Sequence, residues 1–196
     1  LMLGSVLFHV GVLIIFGGHF VGLLTPIEVF DAIGVSHGAK QVLAIIAGGI
    51  AGALAIVGAL ILLHRRVFDP RIRATSSFGD TAILALLTAQ LVLGLSTIPL
   101  SSQHLDGSEM VKFMAWAQGI FTFQPGAAAH ISEVHWIFKA HLALGLTIFL
   151  VFPFTRLVHM LSAPIWYLNR RGWQLVRTRR DMTNQKGRAR PSREGR

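Results

Sequence analysis

The sequence of 196 residues contains no cysteine. Disulfides, thiolate metal sites and cysteine-ligated iron–sulfur clusters therefore cannot be built from these residues alone. Charged residues are also scarce, at 14% of the chain, and acidic residues number 9 against 18 Lys and Arg. Hydrophobic residues make up 53%, and the mean hydropathy is +0.59, which is too apolar for an ordinary soluble domain. The composition therefore predicts a membrane protein.

Motifs of hydrolytic and phosphate-binding chemistry are also missing. The sequence has no Gly-rich phosphate loop, no H-E-x-x-H and no G-x-S-x-G. The net charge of +9 comes mostly from basic residues that flank apolar runs. Basic segments beside a membrane bind anionic headgroups or an acidic partner, so we expect no nucleic-acid partner.

Four apolar stretches are long enough to cross a bilayer, which requires about 20 helical residues. They cover roughly 2–24, 41–63, 78–98 and 136–160. Glycine is frequent within them, as in "AGGIAGALAIVGAL", and favours close approach of helices in lipid. The sequence predicts an all-α fold, a polytopic transmembrane helical bundle of four spans within residues 1–162. Residues 163–196 form a basic tail that we expect to bind a partner or to be disordered.

The basic residues predict the orientation of the bundle, because Lys and Arg collect on the cytoplasmic side. Arg65, Arg66, Arg71 and Arg73 lie between the second and third spans, and the tail is also rich in arginine. We expect both regions to be cytoplasmic in a multi-pass inner-membrane protein. The opposite loops, 25–40 and 99–135, are more acidic and are expected outside. Within the second loop, "SEMVKFMAWAQGIFTF" predicts a short interfacial helix with a Ser at its head and Trp116 facing lipid or the bundle.

Four of the nine histidines fall inside apolar spans, where ionisable side chains are rare and usually functional. His9 and His19 lie in the first span, and His141 and His159 lie in the fourth. In antiparallel spans, His9 and His159 share the cytoplasmic side, whereas His19 and His141 share the outer side. Two such pairs are what two bis-histidine haems require. On a continuous helix, His141 and His159 would share one face across a rise of ~27 Å.

The chain resembles a known family, the gamma subunit of membrane-bound respiratory nitrate reductase. The resemblance rests on "LFHVGVLIIFGGHFVGLLTP", "KQVLAIIAGG", "HRRVFDPRIRAT", "TIPLSSQHLDGSEMVKFMAWAQ" and "HWIFKAHLALGLTIFLVFPFTRLVH", in that order. Members of this family are di-haem cytochromes b that oxidise quinol. The family has one more membrane helix before the first span, so we expect the sequence to be a fragment or a shortened variant.

The resemblance also implies the cofactors and their ligands. His9 and His159 match the axial ligands of the inner b-type haem iron, and His19 and His141 match those of the outer haem iron. Lys40 and Gly18 match residues of the quinol site beside the outer haem. Quinol would be oxidised near the outer face, with protons released outside and electrons passed to a cytoplasmic iron–sulfur (beta) subunit. Nitrate would be reduced on a molybdenum catalytic (alpha) subunit.

Some assignments remain open from the sequence. Arg71, Arg73 and Arg156 are candidates for neutralising haem propionates or for facing a partner, because guanidinium pairs well with carboxylates. Positive-inside placement is the alternative for each of them. The chain as a whole has two alternatives. One is a di-haem cytochrome b that serves another reductase, against which "HLDGSEM" argues. The other is a haem-free membrane anchor or small transporter.

Overall fold

The computed structural model of the chain describes residues 2–160, which contain helices and connecting turns and no strand. The prediction of an all-α fold is confirmed. The α-helices of these residues are α1 (Met2–Leu24), α2 (Ile27–Ala32), α3 (His37–Phe68), α4 (Pro70–Thr75), α5 (Phe78–Ser101), α6 (Ser108–Phe121) and α7 (Trp136–Val151). Short 3-10 helices cover Ala127–Ile131, Phe152–Phe154 and Arg156–Met160.

Four helices are long and apolar enough to cross a membrane, as predicted. They are Met2–Leu24, His37–Phe68, Phe78–Ser101 and Trp136–Phe154. The second of these is longer than the predicted span at both ends. It begins after Ser36, whose hydroxyl accepts a hydrogen bond from the Ala39 backbone N–H at 3.2 Å, and it ends before Asp69. A helix cap of this kind satisfies an otherwise unpaired backbone donor.

The fourth span differs from its prediction at its C-terminal end. The α-helix stops at Val151, and two 3-10 turns replace its expected continuation to residue 160. Pro153 lies in the first of these turns and supplies no backbone N–H to a helical hydrogen bond. The prediction that His141 and His159 share one face of a continuous helix is therefore wrong.

By internal packing the chain divides into two units, Leu1–Val158 and His159–Arg196. Only His159 and Met160 of the second unit are among the described residues. The predicted boundary between 162 and 163 and the basic tail lie outside the described residues.

Small residues bring α1 and α3 into close contact. Ala51, Ala55 and Ala59 recur every four residues on α3, and each exposes at most 1% of its surface. A Cβ atom built on Gly11 of α1 would lie 2.6 Å from the Ala51 carbonyl oxygen. Backbone approach of this kind is typical of helix pairs in lipid, where packing rather than the hydrophobic effect drives association.

Large apolar side chains point away from this interface. Leu3, Ile50 and Leu150 expose 67%, 62% and 73% of their surfaces. The buried hydrophobic core is instead formed by Phe8 of α1, Ala59 of α3 and Leu84 of α5. Large apolar side chains are exposed on each of the four long helices, which is unusual for a soluble protein. The bundle therefore has the exterior that a hydrocarbon environment favours.

We expect Gly58→Ala to separate α1 from α3. The added Cβ would overlap the Phe8 backbone nitrogen and lie 2.7 Å from the Gly4 carbonyl oxygen, so a helix backbone must move. Overpacking of this kind lowers the free energy of unfolding by about 1–3 kcal/mol. Denaturant titration in detergent measures the effect.

Gly48→Ala is the matched control for this prediction on the same helix. A Cβ at Gly48 meets no atom within 4 Å, so the substitution removes only the low helix propensity of glycine. We expect the free energy of unfolding to stay the same or to rise by up to ~1 kcal/mol. Equal decreases in the free energy of unfolding of the two variants would contradict the close α1–α3 interface.

The long helices pack in a series, with α1 against α3, α3 against α5 and α5 against α7. Helix α6 crosses the end of this series and contacts both α1 and α3. Its Gln118 side chain donates to the Leu23 and Thr25 carbonyl oxygens, each at 3.1 Å. The predicted short helix is thus present, and it ties the end of α1 to the bundle.

One detail of α6 differs from the prediction. The residue that caps its start is Gly107, with φ of +83°, and Ser108 is instead its first helical residue. Of the two predicted environments, lipid or the bundle, Trp116 has the second: it is buried at 8% exposure and faces the protein, whereas Phe121 and Phe123 are exposed. The hydrophobic spacing identified the helix, but it could not tell which aromatic side chains the neighbouring helices cover.

Candidate functional site

The rings of His19 and His141 approach each other from two different spans. Their centroids lie 6.1 Å apart, and the ring planes are inclined by 45°. His19 belongs to α1 and His141 to α7, and these helices are not a closely packed pair within residues 2–160. The fold thus brings together the two histidines that the sequence assigned to the outer side of the bundle.

The hydrogen bonds of α1 select one tautomer for its histidines. Nδ1 of His19 lies 2.8 Å from the Ile15 carbonyl oxygen, one helical turn earlier. A carbonyl only accepts, so Nδ1 carries the proton and Nε2 carries the lone pair. Nδ1 of His9 makes the same contact with the Ser5 carbonyl oxygen at 2.8 Å. Both rings therefore have the tautomer of a histidine that binds a metal through Nε2.

The ring of His141 lies against two residues of α5. The Gln90 side-chain nitrogen donates to the His141 carbonyl oxygen at 3.1 Å and lies 3.5 Å from its Nε2. A Cβ atom on Gly94 would lie 3.0 Å from Cε1 of the same ring. Among the described residues, Nδ1 of His141 and Oε1 of Gln90 are buried without a hydrogen-bond partner.

The predicted inner pair is not tested by this geometry. His9 lies in α1 and belongs to the first unit, and its ring meets the Phe8 ring edge-on, with centroids 5.5 Å apart. His159 lies in the 3-10 turn Arg156–Met160 and belongs to the second unit. Their pairing stays a prediction.

Arg156 forms an ion pair that the sequence did not suggest. Its Nε atom lies 2.6 Å from an oxygen of Asp80, whose side chain is only 6% exposed. Asp80 also caps the start of α5, because it accepts from the Ser77 backbone N–H while Ser77 accepts from the Asp80 backbone N–H. The carboxylate thus links the end of the fourth span to the start of the third. A role of Arg156 toward a propionate stays a prediction.

Lys40 is enclosed by the protein at the start of α3. Its residue surface is 7% exposed, its Nζ atom lies 2.7 Å from Met114 Sδ, and the same atom stands 3.7 Å from the centroid of the Phe30 ring. No ion pair to Lys40 forms among residues 2–160. A lysine that snorkels to a membrane interface would expose its ammonium group, whereas the protein covers the side chain of Lys40.

The loop before α6 packs tightly on the helix that carries Lys40. A Cβ atom on Gly38 would lie 2.8 Å from the Leu105 carbonyl oxygen, and one on Gly107 would lie 2.6 Å from the His37 carbonyl group. The loop is held by Asp106, which accepts from the backbone N–H and the hydroxyl of Ser108. These donors hold the pKa of the Asp106 carboxyl below its usual value. The segment "HLDG", residues 104–107, therefore packs against the first residues of α3.

Gly18 has a different environment from Lys40. A Cβ atom on Gly18 would meet no atom within 4 Å, and the same is true of Gly17 and Gly22 on α1. No hydrogen bond, ion pair or ring contact joins Lys40 to Gly18 or His19 in the described part of the chain. The fold thus leaves this stretch of α1 open, and a joint role of Lys40 and Gly18 stays a prediction.

Sequence reasoning missed several neighbours of these residues. Gln90 is a polar amide in the apolar run "LLTAQLVLGLS", and Gly94 follows it by four residues, which places both on one helical face. That signal was present in the sequence. Asp80 and Phe30 carried no comparable signal, because only the folded chain shows which cation each of them contacts.

Comparison with known proteins decides the family. Residues 1–179 match the family described as "Nitrate reductase gamma subunit". The chain is 51% identical over 177 residues to the respiratory nitrate reductase 1 gamma chain of Escherichia coli (strain K12), across 90% of this chain and 78% of that relative. The chain belongs to the nitrate reductase gamma-subunit family. The resemblance on which the sequence analysis relied is thereby confirmed.

Two more distant relatives extend this comparison. The nitrate reductase gamma chain of Bacillus subtilis (strain 168) is 40% identical over 167 residues, across 85% of this chain and 74% of that relative. The Hdr-like menaquinol oxidoreductase cytochrome b-like subunit of Archaeoglobus profundus is 24% identical over 168 residues, across 85% of this chain and 48% of that relative. The chain is therefore also similar, at lower identity, to a subunit named for another oxidoreductase.

Proposed function

We propose that this gamma-family chain is the quinol-oxidising membrane subunit of a respiratory nitrate reductase. In this proposal it holds two b-type haems, one between His19 and His141 and the other between His9 and His159. It delivers electrons to an iron–sulfur beta subunit on the cytoplasmic face, and a molybdenum alpha subunit reduces nitrate. The observation that carries the proposal is the approach of the His19 and His141 rings across the bundle.

The residues of the outer pair fit a haem. His19 and His141 would hold the iron from two different helices. Their ring centroids lie 6.1 Å apart, a separation that admits a metal ion between two imidazoles. The His19 tautomer leaves Nε2 as the lone-pair nitrogen, and a Cβ on neighbouring Gly17 or Gly18 would meet nothing within 4 Å, which suits a flat macrocycle beside α1.

When bound, the haems supply one-electron carriers between quinol and the cytoplasmic partner. The chain's own residues contribute binding, orientation and the exclusion of water. His19 and His141 would hold the outer haem from α1 and α7, which pack against α3 and α5 respectively.

Lys40 is the residue that we assign to the quinol. Its ammonium group has three donors and no acceptor, so it can donate a hydrogen bond to a hydroxyl oxygen of the quinol. The present partners of the ammonium group are the Met114 thioether sulfur and the Phe30 ring, which are both weak acceptors. A hydroxyl oxygen of the quinol would be a stronger acceptor than either of them. Gly18 leaves room beside α1 for the ring.

Quinol loses two electrons and two protons when it becomes quinone. In the proposed orientation the protons leave on the outer side and the electrons move to the cytoplasmic side. Moving each electron inward works against the membrane potential by ~2.3 kcal/mol per 100 mV, so the reaction conserves energy. Arg71, Arg73 and Arg156 are proposed to lie on the cytoplasmic side, where they meet propionates or the beta subunit.

A second candidate function has one specific observation in its favour. The Archaeoglobus profundus relative carries the name of a menaquinol oxidoreductase, so a chain of this kind can be named for another electron acceptor. The lower identity and the shorter share of that relative make this candidate weaker than nitrate reductase.

The first experiment is haem quantification and a reduced-minus-oxidised optical spectrum of the purified full chain. We expect two b-type haems per chain, both reduced by a quinol analogue. No haem in a well-folded preparation would contradict the proposal and favour a haem-free anchor. Two haems that reduce with quinol, but that pass no electrons to purified nitrate reductase alpha and beta subunits, would favour the second candidate.

A further inference from the structure

The ammonium group of Lys40 lies over an aromatic ring from a different helix. Its Nζ atom stands 3.7 Å from the centroid of the Phe30 ring of α2, and Met114 Sδ lies 2.7 Å from the same atom. The face of an aromatic ring carries negative electrostatic potential and attracts a cation at this distance, most strongly where water is excluded. The protein covers the side chain of Lys40, so Phe30 stabilises a buried positive charge.

The acidic residue beside Phe30 does not take over this role. Asp31 contacts Nε2 of His37 at 3.3 Å, and the described part of the chain forms no ion pair with Lys40. A carboxylate would engage the N–H donors of the ammonium group in strong hydrogen bonds, whereas a ring face attracts the cation as a whole. The site thus combines a stabilised charge with donors that a substrate oxygen can use.

The backbone around Phe30 is fixed, although no residue of α2 is buried. The Val35 backbone N–H donates to the Phe30 carbonyl oxygen at 2.9 Å and closes the turn after α2. The contact between Asp31 and His37 then joins α2 to the first turn of α3. These contacts hold the Phe30 ring beside the start of α3.

The backbone that carries Lys40 is fixed as well. Its neighbour Gln41 is buried and donates from its side chain to the Ser101 carbonyl oxygen of α5 at 3.3 Å. The side chain of a lysine is long and flexible, so a fixed backbone does not by itself fix the ammonium group. The position of that group depends on its contacts with Phe30 and Met114.

We propose that Phe30 is a positioning residue for quinol oxidation, whose ring holds the charged ammonium group of Lys40 where it donates to a quinol hydroxyl oxygen. The inference rests on the proposed function, in which Lys40 binds the quinol. Without the ring, the flexible side chain has more positions available, and ordering it for the substrate costs more conformational entropy. Phe30 therefore contributes to quinol oxidation only while the ammonium group is present.

The first test is a double-mutant cycle on the purified full chain. We expect Phe30→Leu to lower kcat/KM for a water-soluble quinol analogue about fivefold, which corresponds to about 1 kcal/mol, the order of one cation–π contact. In a chain that already carries Lys40→Met, the same substitution should change kcat/KM by less than about twofold, because the cation is gone. Phe30→Tyr keeps an aromatic face and should retain the wild-type value.

Fluorinated phenylalanines at position 30 change the electrostatics of the ring with little change in its shape. Fluorine withdraws electrons from the ring face, so mono-, di- and trifluorinated rings attract a cation progressively less. We expect kcat/KM for quinol to fall in that order. A packing role for Phe30 predicts equal kcat/KM across the series, because these rings fill nearly the same space.

The reactivity of the Lys40 amine gives a readout that does not depend on turnover. We expect Phe30→Leu to raise the rate at which an acylating reagent modifies Lys40, because the ring no longer covers the amine. Mass spectrometry measures this rate against exposed Lys112 in the same chain. Phe121→Leu is the matched control, since Phe121 is exposed and no cation–π contact of its ring forms among residues 2–160. It should leave the rate and kcat/KM unchanged.

Two results of the cycle would overturn the proposal. Equal decreases in kcat/KM on adding Phe30→Leu to the wild-type and Lys40→Met chains would mean that Phe30 does not act through Lys40. An unchanged kcat/KM in Phe30→Leu would mean that the ring does not position the ammonium group. If Phe30→Leu does not fold, the fluorinated series decides, because its members keep a phenyl ring.

Failure of the proposed function has a different signature. In that case the wild-type chain would not oxidise quinol, or Lys40→Met would oxidise it normally. Both results are visible before any variant of Phe30 is made.

Discussion

Replacing His141 by alanine is expected to reduce the haem content of the chain from two to one and to abolish quinol oxidation. An alanine offers no lone pair, and the other outer ligand, His19, cannot hold a bis-histidine haem alone. His19→Ala should give the same single remaining haem. Pyridine haemochrome assay measures the stoichiometry, and reduction by a quinol analogue measures the activity.

The double variants test the pairing more sharply than the single ones. Because His19 and His141 are proposed to share one iron, His19→Ala with His141→Ala should lose no more haem than either substitution alone. His19→Ala with His9→Ala should leave no haem, because each substitution removes a different one. Complete loss of haem in the first double variant, with the helical fold retained, would contradict the assignment.

His130→Ala is the control for these substitutions. His130 lies in the exposed turn Ala127–Ile131, outside the four spans. We expect two haems and unchanged quinol oxidation in this variant. Loss of haem there would mean that histidine substitution disturbs the protein in general.

Most of the architecture follows from composition and apolar length. Runs of about 20 apolar residues have few structures available in lipid other than helices, because every backbone polar group must be satisfied within the segment. The end of the fourth span was the exception. The apolar pattern continues past Pro153, so hydrophobicity alone did not indicate that the α-helix stops at Val151.

The candidate site was only partly accessible from sequence. Histidines in apolar spans are conspicuous, and antiparallel topology alone sufficed to pair His19 with His141, whose rings approach in the structure. The same argument for His9 and His159 stays a prediction. Gln90 had a signal in the sequence, a polar amide in an apolar run, whereas the contact of Met114 with Lys40 depends on the packing of helices distant in sequence.

Lys40→Met is expected to lower kcat/KM for quinol at least tenfold, while haem content and both haem potentials remain unchanged. The substitution removes the ammonium donor but keeps a flexible side chain of similar length. A tenfold loss corresponds to ~1.4 kcal/mol of transition-state stabilisation. Steady-state kinetics with a water-soluble quinol analogue measures it.

Lys112→Met is the matched control. Lys112 is exposed and pairs with Glu109 at 2.7 Å, a contact that holds the pKa of the lysine above its usual value. Solvent screens an exposed pair of this kind, so it adds little to stability. We expect kcat/KM for quinol to stay within twofold of the wild type.

The stability of Lys40→Met separates a functional lysine from a structural one. Burying an ammonium group against a thioether and an aromatic ring, with no ion pair among residues 2–160, is costly, and replacing such a charge by an apolar side chain is often neutral or stabilising. We therefore expect the midpoint of thermal unfolding to stay constant or to rise while quinol oxidation falls. That combination would mean that the buried charge of Lys40 serves quinol oxidation and does not stabilise the fold. A variant that loses stability but oxidises quinol normally would instead make Lys40 a packing residue that joins α3 to α6 through Met114.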